Sequence, residues 1–316
     1  MTIAVVLNGR SGSGAAEASV RRIRELCEEA GREARVELAS GKGIAKAARS
    51  AVDAGCELLV GGGGDGTIGT IAAIAAEAGL PFGVLPLGTR NHFARDLGLP
   101  LDLDGAMQVI LAGHRRTVDL GEVNGRVFIN NSSLGVYPRL VRLREKLMKY
   151  GLAKWAAALW ALLAVLRAHP FMGVRITADG EPMVRRTPFV FIGNNEYRME
   201  GLSAARRESL SDGQLALYVM NASGRRNLLW LAWQILRGRT AELKELEVFR
   251  VAEAEIELRR SSTHVALDGE LLTMRGALTY RVRPEALEVF APAPEPDSEA
   301  GGTATGSRPG PQRTQQ

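Results

Sequence analysis

The chain has 316 residues, 46% hydrophobic and 24% charged, an ordinary globular balance in a length that suits two domains. Its net charge of +5 suits an anionic partner, whether a nucleotide, a nucleic acid or a lipid surface, without choosing among them. Cys27 and Cys56 with four scattered histidines give neither a disulfide framework nor a zinc spacing, and the longest apolar stretch, Leu152 to Leu166, contains Lys154 and is shorter than the roughly 20 residues that cross a bilayer.

Met1-Thr2 leads straight into Ile3-Ala-Val-Val-Leu7, which reads as a buried strand, so no secretory signal is expected and the compartment implied is a reducing cytoplasm. Ala15–Ala30 has helical spacing through Ala16, Val20, Ile23 and Cys27; Arg35–Leu38 is extended; Ile44–Ala54 is helical. Glu57–Val60 is a strand, Ile68–Ala78 a helix, and Pro81–Leu85 a further strand. Such alternation predicts an α/β unit, a mostly parallel sheet with helices on both faces, which binds ligands beyond the carboxyl ends of its strands.

Three polar, glycine-bearing loops fall at such ends. They are Asn8 to Gly14, Gly61-Gly-Gly-Gly-Asp-Gly-Thr67, and Pro86-Leu-Gly-Thr-Arg-Asn91, and they converge on one ligand if the sheet is parallel. The second is the most telling. Glycines let the backbone approach a ligand without a Cβ clash, and the following helix points unpaired N–H groups at it, so the loop specifies a place for phosphate. Thr67 is the expected N-cap of that helix. The glycines of Gly9 to Gly14 are out of order for a dinucleotide fingerprint, and no loop ends in the Gly-Lys-Ser/Thr of a P-loop.

After about Val118 the pattern changes to alternating runs: Arg126–Ile129, Gly173–Thr177, Phe189–Ile192, Gln214–Val219, Ala254–Leu258 and Ala277–Tyr280. These predict a second, mainly antiparallel β domain interrupted by helical inserts at about Leu140–Leu166 and Leu228–Leu236. Taken alone, Asp212-Gly213 reads as a hairpin and Asp268-Gly269-Glu270 as a β-turn. From Ala291 the chain turns to Pro, Gly, Ser, Thr and Gln, too poor in apolar residues to fold. The organisation expected is 1–120, 121–292 with its last residues free to return to the first unit, and a tail at 293–316.

Six motifs in order carry a resemblance: Gly63-Gly-Asp65-Gly-Thr67, Pro86-Leu-Gly88-Thr89-Arg-Asn91-His-Phe93-Ala94-Arg95, Val118-Asp119-Leu-Gly121, Gly193-Asn194-Asn195, Ser211-Asp212-Gly213 and Leu267-Asp268-Gly269-Glu270. Together, across about Ile3 to Pro292, the chain resembles the diacylglycerol-kinase catalytic family, particularly its soluble bacterial lipid kinases. The resemblance implies an N-terminal domain similar to that of NAD kinases and phosphofructokinases, a C-terminal β-sandwich, and an ATP site in the cleft between them. It also implies roles. Asn8, Gly63, Gly64, Gly66 and Thr67 would meet the nucleotide phosphates; Ser40, Gly88, Thr89 and Asn91 would complete the nucleotide site; Glu270 would be the general base; Asp212, with backbone carbonyls near Ser209 and Gln214, would hold a cleft-shaping magnesium.

Phosphoryl transfer needs positioned phosphates, a divalent cation and a carboxylate near the acceptor hydroxyl, and Asp65, Asp268 and Glu270 are candidates to supply oxygens to Mg²⁺. Some positions depart from the family pattern. Asn91-His92-Phe93 stands where the family usually has Asn-Asp-Phe, Ile68-Gly69-Thr70 where it has an apolar residue, Asn and Glu, and Asn8-Gly9 where it has Asn-Pro. None removes Asp65 or Glu270, so activity is expected.

All four tryptophans, Trp155, Trp160, Trp230 and Trp233, lie in the helical inserts beside basic flanks. They suit peripheral docking on the inner face of a membrane, or equally core packing or a homodimer contact. The function expected is an ATP- and Mg²⁺-dependent kinase of a diacylglycerol-like lipid, with a soluble or long-chain-base acceptor, or a nucleotide sensor without transfer, as alternatives. A nucleic-acid partner is disfavoured, because aromatics are only 5% of the chain and no stacking platform is visible.

Overall fold

The computed structural model describes residues 2–9, 13–135, 171–198, 206–220 and 246–293. The helical inserts expected at Leu140–Leu166 and Leu228–Leu236, their four tryptophans, and the tail beyond Ala293 lie outside these residues.

The N-terminal part alternates strand and helix. β1 (Thr2–Asn8), β2 (Glu33–Ala39), β3 (Leu58–Gly63) and β4 (Phe82–Pro86) are linked by α1 (Ser13–Glu29), α2 (Lys42–Asp53) and α3 (Asp65–Ala78); α4 (His92–Asp96) and α5 (Leu103–Ala112) follow. The strands pair in parallel in the order β2-β1-β3-β4. The period-2 geometry of β1 sorts its side chains: Ile3, Val5 and Leu7 pack with Ile23, Leu26 and Ile110 of α1 and α5, and Ala4 and Val6 pack with Ile44, Ala48, Ile71 and Ala75 of α2 and α3. Each fully buried Ile or Leu stabilises the fold by about 1.5–3 kcal/mol, so this two-sided core fixes the strand ends where the loops emerge. α3 begins at Asp65, not after Thr67. Gly64 is its N-cap, in an extended conformation with no capping side chain, and Thr67 lies buried in the first turn.

The chain then builds β5 (Arg115–Val123), β6 (Arg126–Phe128), β7 (Asn131–Gly135), β8 (Met172–Ala178), β9 (Glu181–Thr187), β10 (Phe189–Asn194), β11 (Tyr197–Arg198), β12 (Arg206–Arg207), β13 (Leu215–Met220), β14 (Leu246–Val251), β15 (Glu253–Leu258), β16 (Ser262–Leu267), β17 (Glu270–Arg275) and β18 (Leu278–Phe290). β14-β13-β10-β7-β16-β17 form an antiparallel sheet. It packs over β8, β15 and β18 through Leu134, Val190, Ile192, Leu217, Val174 and Ile256, which makes a sandwich. β18 pairs with β15 at one end and reaches β4 at Val289, so the first sheet continues as β4-β18-β15-β8-β9. The α/β half and the sandwich are thus stitched by one strand.

Two turns matter for the site. Asp268 (φ 46°) and Gly269 (φ 85°) form the two-residue connection of the β16–β17 hairpin, both left-handed, as an Asp-Gly hairpin turn requires. Asp212-Gly213 is not a hairpin: β12 pairs with β11, and the dipeptide lies in the loop that leads into β13.

Candidate active site

The phosphate-side wall is built from backbone. At the end of β3, a Cβ on Gly63 would meet the Thr67 side chain at 2.8 Å, and one on Gly88 would meet Gly64 Cα at 2.4 Å. Only glycine lets these two loops touch. Asn91, left-handed at φ 51°, locks the second loop: its Oδ1 accepts from Gly88 N (3.0 Å), and its Nδ2 donates to the carbonyls of Pro86 (2.9 Å) and Gly88 (3.0 Å). Asn8, at the end of β1, donates from Nδ2 to Thr67 Oγ1 at 3.0 Å.

These loops enclose a cavity of about 320 Å³ lined by Asn8, Gly41, Gly64, Asp65, Thr67 and Glu270, among others. Because no side chain caps α3, its first-turn N–H groups are open to an anion, and the helix dipole favours one there. Asp65 and Glu270 have no hydrogen-bond or ion-pair partner among the described residues. Among the described residues no Lys or Arg lines this cavity. An anion held there beside Asp65 and Glu270 would call for a cation, and Mg²⁺, which binds through one or two carboxylates, phosphates and water, fits that donor set. Among the described residues no three His, Cys, Asp or Glu side chains gather into a protein-only cage.

Glu270 opens β17, exposed, directly after the Asp-Gly turn. The face of α3 opposite the turn is Gly66 and Gly69, one helical turn apart; a Cβ on Gly69 would stand 2.8 Å from Asp268 Oδ2, and one on Gly66 3.9 Å from Glu270 Cγ. The turn is held from behind. Asp268 Oδ2 accepts from Ile129 N (2.8 Å), and Oδ1 accepts from Asn130 N (2.8 Å) and Asn131 N (3.1 Å). Burial pushes the Asp268 carboxyl up, to about 6, against the pull of these three donors. Its oxygens are thus committed to the backbone, and Asp268 serves the site by fixing the turn.

Glu270 also lines a second cavity of about 520 Å³, whose walls are mixed: Ala73, Ile74, Val127 and Leu272 beside Arg49, Glu77, Asn124 and Arg126. Gly66, Thr70 and Glu270 line both cavities. The remaining sequence candidates stand as follows. Ser40 is exposed and its carbonyl accepts from Gly43 N at 3.0 Å, placing it beside the cavity-lining Gly41. Thr89 lies in the second loop, and neither cavity is lined by it.

Asp212, Ser209 and Gln214 lie apart from both cavities, on the loop before β13. There the Gln214 carbonyl accepts from Asn195 N (3.1 Å), and Ser209 Oγ accepts from Ser211 N (3.2 Å). Asp212 is exposed, and the buried Oδ1 of Asn195 has no donor. A carboxylate, a carbonyl and an orphaned amide oxygen are hard donors of the kind Mg²⁺ takes, so these residues fit such an ion with water completing its shell.

Sequence reasoning gave no role to several buried polar groups behind the site. Asp119, 1% exposed, accepts from Gly213 N (2.7 Å), Glu285 N (2.9 Å) and Asn195 Nδ2 (3.2 Å), tying the β13 loop to β18. Asn194 donates from Nδ2 to the carbonyls of Asp119 (2.7 Å) and Ile129 (3.0 Å). Asp96, Asn130 and Arg207 complete the layer. The signals in the sequence were the Val118-Asp119-Leu-Gly121 motif and the Asn194-Asn195 pair ending an apolar strand.

Comparison with known proteins agrees with this architecture. Residues 2–123 match the diacylglycerol kinase catalytic domain, and residues 140–291 match the YegS C-terminal NAD kinase beta sandwich-like domain. A Pseudomonas aeruginosa protein named probable lipid kinase YegS-like is 31% identical over 299 residues, covering 93% of this chain and 95% of its own length. A Mycobacterium tuberculosis diacylglycerol kinase is 30% identical over 252 residues, 77% of this chain and 79% of that protein. The crystal structure of a diacylglycerol kinase from Bacillus anthracis str. Sterne covers 92% of this chain and 97% of its own, with a TM-score of 0.66 at 17% identity, a likeness of fold. With a catalytic domain and a sandwich domain of one family in one order, and a full-length relative above 30% identity, the chain belongs to the diacylglycerol kinase catalytic-domain family and is a kinase.

Proposed function

We propose that this protein is an ATP- and Mg²⁺-dependent lipid kinase that transfers the γ-phosphoryl group to a hydroxyl of a diacylglycerol-like lipid. The observation that carries the reading is the position of Glu270, shared by the cavity at the start of α3 and the second cavity. A carboxylate that lines both a donor site and an acceptor site is where a general base would stand, within hydrogen-bond reach of the acceptor directly or through one water. The acceptor oxygen bonds to the γ-phosphorus, the bond from that phosphorus to the β,γ-bridging oxygen breaks, ADP leaves, and the acceptor proton passes to Glu270.

The bare first turn of α3 holds the phosphates, and Asn91 keeps the second loop against it. Asp65 and Glu270 would hold Mg²⁺, which when bound screens the charge of the phosphoryl group in flight. A second Mg²⁺ at Asp212 and the carbonyls near Ser209 and Gln214 would shape the cleft. The names of the relatives point to a lipid acceptor, and Ala73, Ile74, Val127 and Leu272 give the mixed second cavity an apolar part for its hydrocarbon body. A membrane-dissolved acceptor places the enzyme at a lipid surface, for which Trp155, Trp160, Trp230, Trp233 and their basic flanks provide a sequence basis.

The test is incubation with γ-labelled ATP, Mg²⁺ and a total lipid extract, with Asp65→Ala as control and analysis of the organic phase. Label in one lipid species, absent from the control, is expected. ATP binding without any organic-phase label would overturn the lipid acceptor and favour a soluble one.

A further inference from the structure

Behind the catalytic turn lies a fully enclosed cation that phosphate transfer itself does not use. The Arg207 side chain is 0% exposed and its partner Asp96 is 4% exposed. Arg207 Nε donates to Asp96 Oδ2 (2.8 Å), Nη1 to the carbonyls of Ile129 (2.6 Å) and Asn194 (3.1 Å), and Nη2 to Asn130 Oδ1 (2.8 Å). The guanidinium lies over the rings of Phe93 (5.9 Å) and Tyr197 (5.4 Å). A planar fork with several fixed donors fits such a site, whereas a lysine ammonium could not reach three separate acceptors on three elements.

What those acceptors belong to gives the arrangement its meaning. Asp96 is the last residue of α4, whose N-cap is Asn91, the residue that locks the second nucleotide loop. Ile129 and Asn130 belong to the segment whose N–H groups hold Asp268, and Asp268 sets the turn that presents Glu270. We infer that Arg207 is a positioning residue: with Asp96 it locks the nucleotide loop to the turn that carries the base, so that donor and acceptor sides keep one register. A buried charge whose partner is removed is strongly unfavourable, so the lock has one stable arrangement. The role of Glu270 in this inference rests on the proposed lipid kinase; the coupling of Arg207 to residues 129–131 does not.

The experiment pairs kinetics with hydrogen exchange on the full chain, for wild type, Arg207→Lys, Asp96→Asn and Asn130→Ala. With ATP/Mg²⁺ and diacylglycerol-containing vesicles, kcat per folded protein is expected to fall at least about tenfold while KM for ATP stays within about threefold, the pattern of a misplaced base beside an intact nucleotide site. Amides of Ile129, Asn130 and Asn131 are expected to exchange at least about tenfold faster while those of β3 keep wild-type protection. A purely structural role would loosen amides throughout, or lower the folded fraction without changing kcat per folded molecule, and either result overturns the inference. Should Arg207→Lys not fold, Asp96→Asn, which keeps size, and Asn130→Ala, which keeps the ion pair, decide the matter. Should the wild type label no lipid, the proposed function fails, and the exchange at residues 129–131 alone still supports or refutes the lock.

Discussion

The two walls of the cleft are made in opposite ways. On the phosphate side, Gly63, Gly64 and Gly88 bring backbone against backbone, and α3 starts with no capping side chain, so the wall is rigid through steric fit and leaves its donors free. On the base side, the Asp-Gly turn is held by the half-buried Asp268 and a layer of buried polar side chains, Asp119, Asn130, Asn194 and Arg207, whose donors and acceptors are mostly spent on one another and on backbone. A wall with unspent N–H groups can receive an anion; a wall whose polar groups are mostly spent can hold one carboxylate in place. The phosphate side is therefore sensitive to added atoms and the base side to removed ones.

The largest expected effect comes from removing an acceptor on the base side. Asp268→Ala leaves three backbone N–H groups without a partner, which is expected to cost about 3 kcal/mol in urea unfolding and to lower kcat roughly 100-fold through a displaced Glu270. Wild-type stability and kcat would show that the turn holds itself. The same carboxyl titrates near 6, and its protonated form accepts fewer N–H bonds, so kcat is expected to fall as pH drops through about 6, whereas Asp268→Asn, lower throughout, is flat in that window.

Adding one methyl to the phosphate side is next. Gly88→Ala would set a Cβ 2.4 Å from Gly64 Cα, and overpacking of this kind costs about 1–3 kcal/mol. Titration calorimetry is expected to show nucleotide affinity weakened roughly tenfold, equivalent to about 1.4 kcal/mol. Unchanged affinity would mean that contact between the loops is incidental to binding. Smallest is Arg49→Ala, which removes an exposed pair with Glu77 at 3.0 Å, side chains 60% and 49% exposed, on the rim of the second cavity. It is expected to change stability by less than about 0.5 kcal/mol. A larger loss would show that the rim, and not only the buried layer, sets the cleft.

The same contrast explains what could be read from the chain. Glycines that must be glycine stand out in a sequence, and so the glycine loop between strand and helix, the parallel α/β half and the Asp-Gly turn were legible from Gly61 to Thr67, from the alternation of apolar runs, and from Asp268 to Glu270. A hydroxyl is the usual cap, which points to Thr67, yet the helix starts two residues earlier with Gly64 as a cap that has no side chain. Asp212-Gly213 looks like a hairpin locally, but Asp119 captures Gly213 N and holds the segment as a loop. Polar β7, with Ser132 and Ser133 buried, and β9, with Pro182, Arg185 and Arg186, carry no apolar alternation and were missed. Arg207 lies between Arg206 and Glu208 in a run that reads as solvated surface. Much of its burial comes from partners far away in the chain, among them Asp96 and Asn130, 111 and 77 residues distant, which local pattern cannot register.

The central claim, that Glu270 accepts the acceptor's proton at the join of two cavities, is tested most directly by measuring lipid phosphorylation and nucleotide affinity side by side in wild type and Glu270→Gln. The account predicts that kcat falls by about 10²–10⁴ while ATP affinity stays near wild type. A Glu270→Gln protein that phosphorylates lipid at the wild-type rate would contradict it and remove Glu270 from the base role.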